Sequence, residues 1–169
     1  MNLENQLNHD LLTLELHNQI EAAKHGGKYL IMNNRSGPHL DLTALPGRLP
    51  FFKQSDYQSY LKRLAAMPEY LERATSRIRA GLNAGWVQAC APMQGFEQSI
   101  DTHIVDDLEK STFLSPFKNR PAVVSEADFT KMKSQAKRLI SDKVIPSYQA
   151  FLDFYLSEYA PKCLSLIHI

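Results

Sequence analysis

The sequence is poor in the features that mark several common protein classes. It has only two cysteines among 169 residues, Cys90 and Cys163, and they form no CxxC pair. It has no excess of charge of one sign, since 19 basic residues are balanced by 18 acidic residues. No apolar run approaches the roughly 20 residues that a membrane-spanning helix requires. These deficits argue against a disulfide scaffold, a nucleic-acid-binding protein and a membrane-spanning protein.

Neither the cysteines nor the N-terminus indicates a cellular compartment. Cys90 and Cys163 lie far apart in the sequence, so we predict two ordinary thiols rather than a structural disulfide. Residues 1–5 show neither the basic nor the apolar region of a secretory signal peptide. The composition, 44% apolar and 22% charged, is that of one globular domain with a hydrophobic core.

Apolar residues recur at helical spacing along most of the chain, and no segment shows strand-like alternation or an internal repeat. Both observations predict an all-α fold of long amphipathic helices. The first helix is predicted over residues 3–24, ended by Gly26 and Gly27. Its apolar residues form two sets, each on one face of the helix: Leu3, Leu7, Leu11 and Leu14, and then Leu16, Ile20 and Ala23.

Three further helices are predicted between residues 55 and 109. Ser55 is a suitable N-cap for a short helix. Pro68 suits the first turn of the next helix, which Gly85 ends. A helix over residues 92–109 follows, because its apolar residues keep a spacing of three and four: Met93, Phe96, Ile100, Ile104 and Leu108.

The last predicted helix begins at Ser125, where Asp128 completes a capping-box pattern. Pro146 is expected to kink this helix rather than end it. The helical period of apolar and aromatic residues continues beyond the proline as far as Tyr159, so we predict one kinked helix.

Residues 26–54 are predicted to form a long ordered segment without regular structure. Its prolines restrict the backbone and lack an N–H donor: Pro38, Pro46 and Pro50. Its apolar residues are too numerous for a disordered linker: Leu40, Leu42, Leu45, Leu49, Phe51 and Phe52. We therefore expect the segment to be pinned against the first and third predicted helices.

No motif of catalysis or metal binding is complete in the sequence. His17 and Glu21 are four residues apart, but no His-Glu-x-x-His motif is present. His103 precedes Asp106 and Asp107, yet one helix rarely closes a metal site alone, and surface aspartates explain the pattern. A nucleophile elbow and a glycine-rich phosphate loop are absent as well. The sequence predicts no catalytic residue and no metal ligand.

The hexapeptide Ser36-Gly37-Pro38-His39-Leu40-Asp41 is the most distinctive in the chain. Two interpretations of it are open. In the first, His39 and Asp41 line a cleft. In the second, Asp41 caps a local turn and His39 packs over it. Glycine, proline and aspartate are typical of turns, which favours the second interpretation.

A set of short motifs occurs in order along the chain. The motifs are Leu7-Asn8-His9-Asp10, Gly37-Pro38-His39-Leu40-Asp41-Leu42, Asp56-Tyr57-Gln58-Ser59-Tyr60-Leu61, Met67-Pro68-Glu69-Tyr70, His103-Ile104-Val105-Asp106-Asp107, Ser115-Pro116-Phe117-Lys118, Val144-Ile145-Pro146-Ser147-Tyr148 and Glu158-Tyr159-Ala160-Pro161. In this order they resemble the bacterial family DUF885, over roughly residues 3–163. No single motif is specific, whereas the ordered set is.

The resemblance implies a helical protein that is similar to zinc carboxypeptidases of the thermostable Taq type. Members carry a His-Glu-x-x-Pro-Gly-His-His-like element downstream, in which histidines bind Zn²⁺ and the glutamate activates a water. Because that element is absent here, we expect a truncated, catalytically incompetent part of a hydrolase, with no cofactor of its own. Zinc and a peptide substrate are expected for the complete protein, and members are often exported.

The resemblance stops near residue 163, and this point divides the chain into two expected parts. Residues 1–163 are expected to be a partial helical domain of a larger peptidase-like fold. Residues 164–169 read Leu-Ser-Leu-Ile-His-Ile, which CTG TCT CTT ATA CAC ATC would encode, the mosaic end of a sequencing-library transposase. We therefore expect residues 164–169 to be a translated adapter that contributes nothing to the fold.

Two functions from different classes follow from these expectations. The first is the scaffold and cleft wall of a zinc-dependent peptidase, with His39, Asp41 and Arg48 as substrate contacts. The alternative is a non-enzymatic helical binding module, in which the apolar segment binds a partner helix or peptide. A nucleic-acid partner is not expected, because basic and acidic residues are interleaved. Substrate specificity and oligomeric state do not follow from the sequence.

Overall fold

Helices form the regular structure of residues 2–165, the part of the chain that the computed structural model describes. The α-helices in this range are α1 Leu3–Lys24, α2 Pro38–Thr43, α3 Leu45–Arg48, α4 Gln54–Asn83, α5 Phe96–Asp101, α6 Glu126–Leu139 and α7 Ile145–Phe154. Shorter turns are the π-helical Ile140–Val144 and Tyr155–Tyr159 and the 3₁₀ turns Ala91–Met93, Leu108–Lys110, Thr112–Phe117 and Ala160–Lys162. Within residues 2–165 there is no strand, only two isolated bridges. The predicted all-α class is confirmed.

The helix α4 is the centre of the core. Its buried residues recur every three or four positions: Tyr57, Tyr60, Leu61, Leu64, Met67, Leu71, Ala74, Ile78, Gly81 and Leu82. This stripe packs against α6 and α7. At the N-terminus, the Asp56 carboxylate accepts hydrogen bonds from the backbone N–H groups of Phe52 and Lys53 at 3.0 and 3.1 Å. These bonds hold the first turn of α4 in place.

Pro68 lies inside α4, where the sequence predicted the start of a separate helix. A proline in a helix interior costs about 3 kcal/mol, because it removes one backbone hydrogen bond and crowds the preceding turn. The buried residues on either side, Met67 and Leu71, each contribute about 1.5–3 kcal/mol relative to exposure. Packing therefore outweighs the proline, and the predicted break at Pro68 is wrong. Gly85 follows the helix end with φ of 79°, as its predicted role as a stop requires.

The chain from Glu126 to Tyr159 is helical throughout, as predicted. At its start, the Ser125 hydroxyl accepts a hydrogen bond from the backbone N–H of Asp128 at 3.1 Å. Pro146 lies in the first turn of α7, directly after a π-helical turn. A π-helical turn is wider than an α-helical turn, so the pattern of backbone hydrogen bonds shifts before Pro146. The missing N–H of the proline is tolerated in the first turn of α7.

The prediction of one helix over residues 92–109 is wrong. The 3₁₀ turn Ala91–Met93 and the short helix α5 are separated by Gly95, whose φ of 78° lies in the left-handed region. A helix cannot continue through a left-handed residue, so α5 starts anew at Phe96. It still buries Phe96 and Ile100, which the sequence predicted on its apolar face.

Residues 26–54 are ordered, as expected, but they contain the short helices α2 and α3. Pro38 occupies the first turn of α2, a position where a missing N–H has no consequence. Helix α2 packs on α4 and α5 and buries Leu42. The expected packing against the first helix is wrong, because α1 has no buried residue.

The connection between α1 and the core is a close contact between a glycine and a tryptophan. Gly26 has φ of 77°, and a Cβ at this position would overlap the Trp86 ring. The backbone N–H of Trp86 donates to Gly81 O at 2.8 Å, which ties the tryptophan to the end of α4. The point at which α1 leaves the core is therefore set by Gly26 and Trp86.

Cys90 and Cys163 form a disulfide, so the prediction of two free thiols is wrong. The two cysteines are 73 residues apart in the sequence, and no local pattern indicates that the chain returns to Cys90 after α7. Leu164 pairs with the same segment, because its N–H donates to Gln88 O at 3.0 Å and its carbonyl accepts from Cys90 N at 2.9 Å. These two bonds involve only the first residue of the 164–169 segment, and the expectation that this segment is an adapter that adds nothing to the fold stays a prediction. Residues 166–169 lie outside the described range.

Candidate functional site

A groove follows one side of α4, where α6 and α7 pack against it. Its largest section has a volume of about 760 Å³, and two adjoining sections have about 580 and 320 Å³. Ala65 lines the sections of about 760 and 320 Å³, and Lys143 lines those of about 760 and 580 Å³, so the three adjoin. The section of about 580 Å³ lies along α6 and the π-helical turn after it and includes no residue of α4. On α4 the groove runs from Gln58 to Arg79, a distance of about 32 Å at the helical rise of about 1.5 Å per residue. We name this feature the α4 groove.

Small side chains line the main section of the α4 groove: Ala65, Pro68, Thr75, Ser76, Pro146, Ser147 and Ala150. Beneath them lie larger apolar residues that belong to the core, Leu71, Phe151 and Phe154. The large side chains point into the core and the small ones point outward between the helices. An apolar floor and shallow walls result, which is typical of surfaces that bind a peptide or a helix.

Charged residues of both signs line the α4 groove. The cations are Lys62, Arg79, Lys131, Arg138 and Lys143, and the carboxylates are Glu69, Glu72 and Asp142. Four of the cations and only one carboxylate, Asp142, line the two smaller sections. That part of the groove is therefore basic.

Arg79 is held at the other end of the α4 groove by Glu158. Its guanidinium donates two hydrogen bonds to the Glu158 carboxylate, at 2.7 and 2.6 Å. It also lies over the Phe154 ring, 5.0 Å from the ring centroid. The hydrogen bonds raise the pKa of Arg79 and lower the pKa of Glu158. This bidentate pair gives the groove end a fixed shape.

His39, one of the predicted cleft residues, is 0% exposed. Its Nε2 lies 2.8 Å from Ser99 Oγ, and Ser99 Oγ donates its only proton to Phe96 O at 2.6 Å. His39 Nε2 is therefore the donor to Ser99. Because burial lowers the pKa of His39, the ring is neutral near pH 7 and its Nδ1 carries no proton. That Nδ1 packs against Gly37, where an added Cβ would lie 3.0 Å away. The expectation that His39 points toward a cleft is wrong.

Aromatic residues surround the His39 ring. Its centroid lies 5.1 Å from that of Phe96 and 5.7 Å from that of Phe151. The Tyr148 hydroxyl donates to the His39 carbonyl at 2.7 Å. Burial, with a smaller contribution from the nearby His103, lowers the pKa of His39 to about 4. His39 is thus a structural residue that holds α2 against α5 and α7.

We expect the protein to lose stability as the pH falls from 6.5 toward 4. The unfolded chain binds a proton on His39 near pH 6.5, whereas the folded chain resists protonation until about pH 4. The full stability is therefore present above pH 6.5, and about 3 kcal/mol is lost by pH 4. Urea unfolding at pH 7.5, 5.5 and 4.5 measures this loss.

A His39→Gln variant isolates the contribution of this one residue, because its amide still donates toward Ser99 but does not titrate. It should show a clearly smaller loss over the same pH range. The matched control is His17→Gln on the exposed helix α1, which should keep the wild-type pH dependence. Equal pH dependence in all three proteins would show that His39 titrates normally.

The other two predicted cleft residues are exposed, and neither lines the α4 groove. Asp41 lies on α2, and Arg48 lies in the last turn of α3. The Asp41 charge helps raise the pKa of Tyr70, after the larger effect of burial. Among the residues described, the three candidates are not brought together into one site. A substrate role for Asp41 and Arg48 stays a prediction.

The described residues form no zinc site, and the resemblance implies zinc only for the complete protein. Within residues 2–165, no three histidine, cysteine, aspartate or glutamate side chains are grouped as metal ligands. The His103 ring packs against Tyr148 and Phe113, at centroid distances of 5.8 and 6.2 Å. Asp107 instead accepts a hydrogen bond from the Glu109 N–H at 3.0 Å.

Sequence reasoning missed the residues of the α4 groove, because they carry no motif. The signal that was available is the placement of small residues such as Ala65, Pro68 and Ala150 beside the buried stripes of α4 and α7. Periodicity identified the buried stripes but did not show which exposed faces meet.

The fold and the groove together define an all-α protein built around one long helix, with a surface groove beside it. A family model described as "Bacterial protein of unknown function (DUF885)" matches residues 2–165. The chain belongs to this family. Searches of the curated proteins and of the solved structures gave no match. No helix of the described range is long and apolar enough to cross a membrane.

Proposed function

We propose that this chain is the helical scaffold of a zinc-dependent peptidase and forms one wall of its peptide cleft. The zinc site and the catalytic glutamate belong, in this proposal, to polypeptide outside the chain. The α4 groove is the observation that carries the proposal. It replaces the segment around His39 as the candidate cleft.

The size of the α4 groove supports binding of an extended peptide. An extended chain rises about 3.3 Å per residue, so about 32 Å of groove accommodates nine or ten residues. The apolar floor of the groove receives side chains, and its cations and carboxylates are placed to contact peptide termini and charged side chains. Glu158 holds Arg79 in place through two of its five N–H donors, and the other three are placed to contact a peptide at a lower entropic cost.

The disulfide supports an oxidising compartment for the proposed peptidase. Cysteine pairs such as Cys90–Cys163 persist outside the reducing cytosol. A location of this kind agrees with the expectation, drawn from the resemblance, that family members are often exported.

We expect Ala65→Trp to weaken peptide binding at least tenfold. Ala65 lines two of the three groove sections, and an indole there would fill the space that a peptide occupies. The probe is a pool of fluorescein-labelled nonapeptides of random sequence, followed by fluorescence anisotropy. The matched control is Ala66→Trp, because Ala66 is an exposed neighbour on α4 that lines no section. Binding that is absent from wild type, or equal in the two variants, contradicts the cleft-wall proposal.

We also expect the chain alone to hold no stoichiometric zinc and to cleave no peptide. The reason is the lack of a ligand set in the sequence and among residues 2–165. Elemental analysis after dialysis against a weak chelator measures bound zinc, and mass spectrometry of incubated peptides measures cleavage. One zinc per chain that is lost in His103→Ala would contradict this prediction.

A second candidate function is a non-enzymatic binding module, and α1 is the observation that favours it. Seven large apolar side chains of α1 are exposed. A group of this many exposed apolar side chains on one helix usually marks an interaction surface. The two functions differ in their ligand, since the cleft wall binds extended peptides whereas the module binds a folded helical surface.

A further inference from the structure

The helix α1 exposes an unusual amount of apolar surface for a helix of 22 residues. None of its residues is buried. The exposed large apolar side chains are Leu3, Leu7, Leu11, Leu12, Leu14, Leu16 and Ile20, with exposed fractions from 49% to 84%. A helix with this surface requires a partner, because apolar side chains in water gain free energy by burial.

The apolar residues of α1 form two stripes on opposite sides of the helix. At about 100° per residue, each stripe covers about 80° of the helix surface, and the stripe centres are about 180° apart. The first stripe consists of Leu3, Leu7, Leu11 and Leu14, and the second of Leu12, Leu16, Ile20 and Ala23. Two distinct surfaces, not one, are therefore available for partners.

Charge distinguishes the two stripes. The four carboxylates of α1 lie along the edges of the first stripe: Glu4, Asp10, Glu15 and Glu21. The edges of the second stripe carry neutral polar residues and one cation: Gln6, Asn8, Thr13, Gln19 and Lys24. We name the first the acid-flanked stripe and the second the neutral stripe. The acid-flanked stripe fits a surface that is apolar in the middle and basic at its edges.

The α4 groove of this same protein has those properties. Its basic sections carry Lys62, Lys131, Arg138 and Lys143 against a single carboxylate. Its main section has an apolar floor and small side chains, which allow a helix to approach closely. Its length along α4 is about 32 Å, and the 22 residues of α1 span about 33 Å.

We propose that α1 of a second copy lies in the α4 groove with its acid-flanked stripe against the floor, and that two copies exchange α1 reciprocally. Within one copy, α1 leaves the core at the contact between Gly26 and Trp86 and has no buried residue, so it does not fill its own groove. Reciprocal exchange covers the acid-flanked stripes of two α1 helices and two grooves in one symmetric dimer. In this dimer α1 of the second copy occupies the groove that the peptidase proposal gives to the peptide. The inference rests on α1 and not on the peptidase proposal, and the α1 variants test it separately from peptide binding.

The test is the oligomeric state of the full chain, measured by sedimentation equilibrium from 1 to 100 μM. Wild type should be a dimer. Leu7→Glu with Leu11→Glu should weaken dimerisation at least tenfold, because two carboxylates then enter the apolar floor. The matched control, Leu12→Glu with Leu16→Glu, alters the neutral stripe and should leave the dimer intact. Unfolding of the core is not expected in either variant, since all four residues are exposed.

Variants of the groove test the other side of the contact. Ala65→Trp should weaken the dimer at least tenfold, whereas Ala66→Trp should not. Glu15→Lys with Glu21→Lys should weaken it, Lys131→Glu with Arg138→Glu should weaken it, and the combination of all four changes should restore it. A monomeric wild type, a dimer that persists in Ala65→Trp, or equal effects of the two leucine pairs overturns the proposal.

Discussion

Replacing both Cys90 and Cys163 with serine is expected to lower the free energy of unfolding by about 4 kcal/mol. The disulfide closes a loop with a sequence separation of 73 residues. A cross-link of that length removes chain entropy from the unfolded state that corresponds to about 4 kcal/mol at 25 °C. Urea unfolding followed by circular dichroism measures the difference.

Reductant provides the control for the disulfide prediction. Wild type with dithiothreitol should approach the stability of the double variant, and the double variant should not respond to dithiothreitol. These are the only cysteines in the chain, so no other thiol contributes. A change below 1 kcal/mol would mean that the backbone bonds of Leu164 hold the chain end without the disulfide.

The second large effect is expected for His39→Ala, which should destabilise the fold by about 3 kcal/mol. The change leaves a cavity between Phe96 and Phe151 and removes the hydrogen bond to Ser99. A residue that lined an open cleft would instead tolerate alanine with little loss. The measurement is the midpoint of urea unfolding at pH 7.5, where His39 is neutral in both states.

Asp41→Ala is the matched control for His39→Ala, because Asp41 lies two residues away on the same short helix and is exposed. It should change the free energy of unfolding by no more than about 0.5 kcal/mol. If both substitutions have a small effect, His39 lines a cleft and is not the buried structural residue described above.

The buried stripes were predictable because helical packing repeats every three or four residues. Helical spacing sufficed to predict helices on both sides of Pro68, and their apolar residues form the core face of α4. The capping pair Ser125 and Asp128 was likewise predictable, because it depends on residues within one turn. Local chemistry of this kind does not depend on the rest of the fold.

The misjudged features all depend on contacts between distant residues. The local sequence predicts a helix start at Pro68, and only the packing of the whole of α4 shows that the helix continues through it. The local sequence predicts that His39 is a turn or cleft residue. Its hydrogen-bond partner, Ser99, is 60 positions away and could not be predicted from the neighbouring residues. Cys90 and Cys163 carry no motif, and only the return of the chain after α7 brings them together.

The sequence by itself determined the all-α class, the buried faces of the long helices and the two apolar sets of α1, because each follows from helical geometry and from neighbours a few residues apart. Only the tertiary structure decided which faces meet. It placed His39 in the core, joined the two cysteines, formed the α4 groove from residues of α4, α6 and α7, and left α1 uncovered. These outcomes depend on packing, which sums weak contacts over the whole core, and no local pattern encodes that sum.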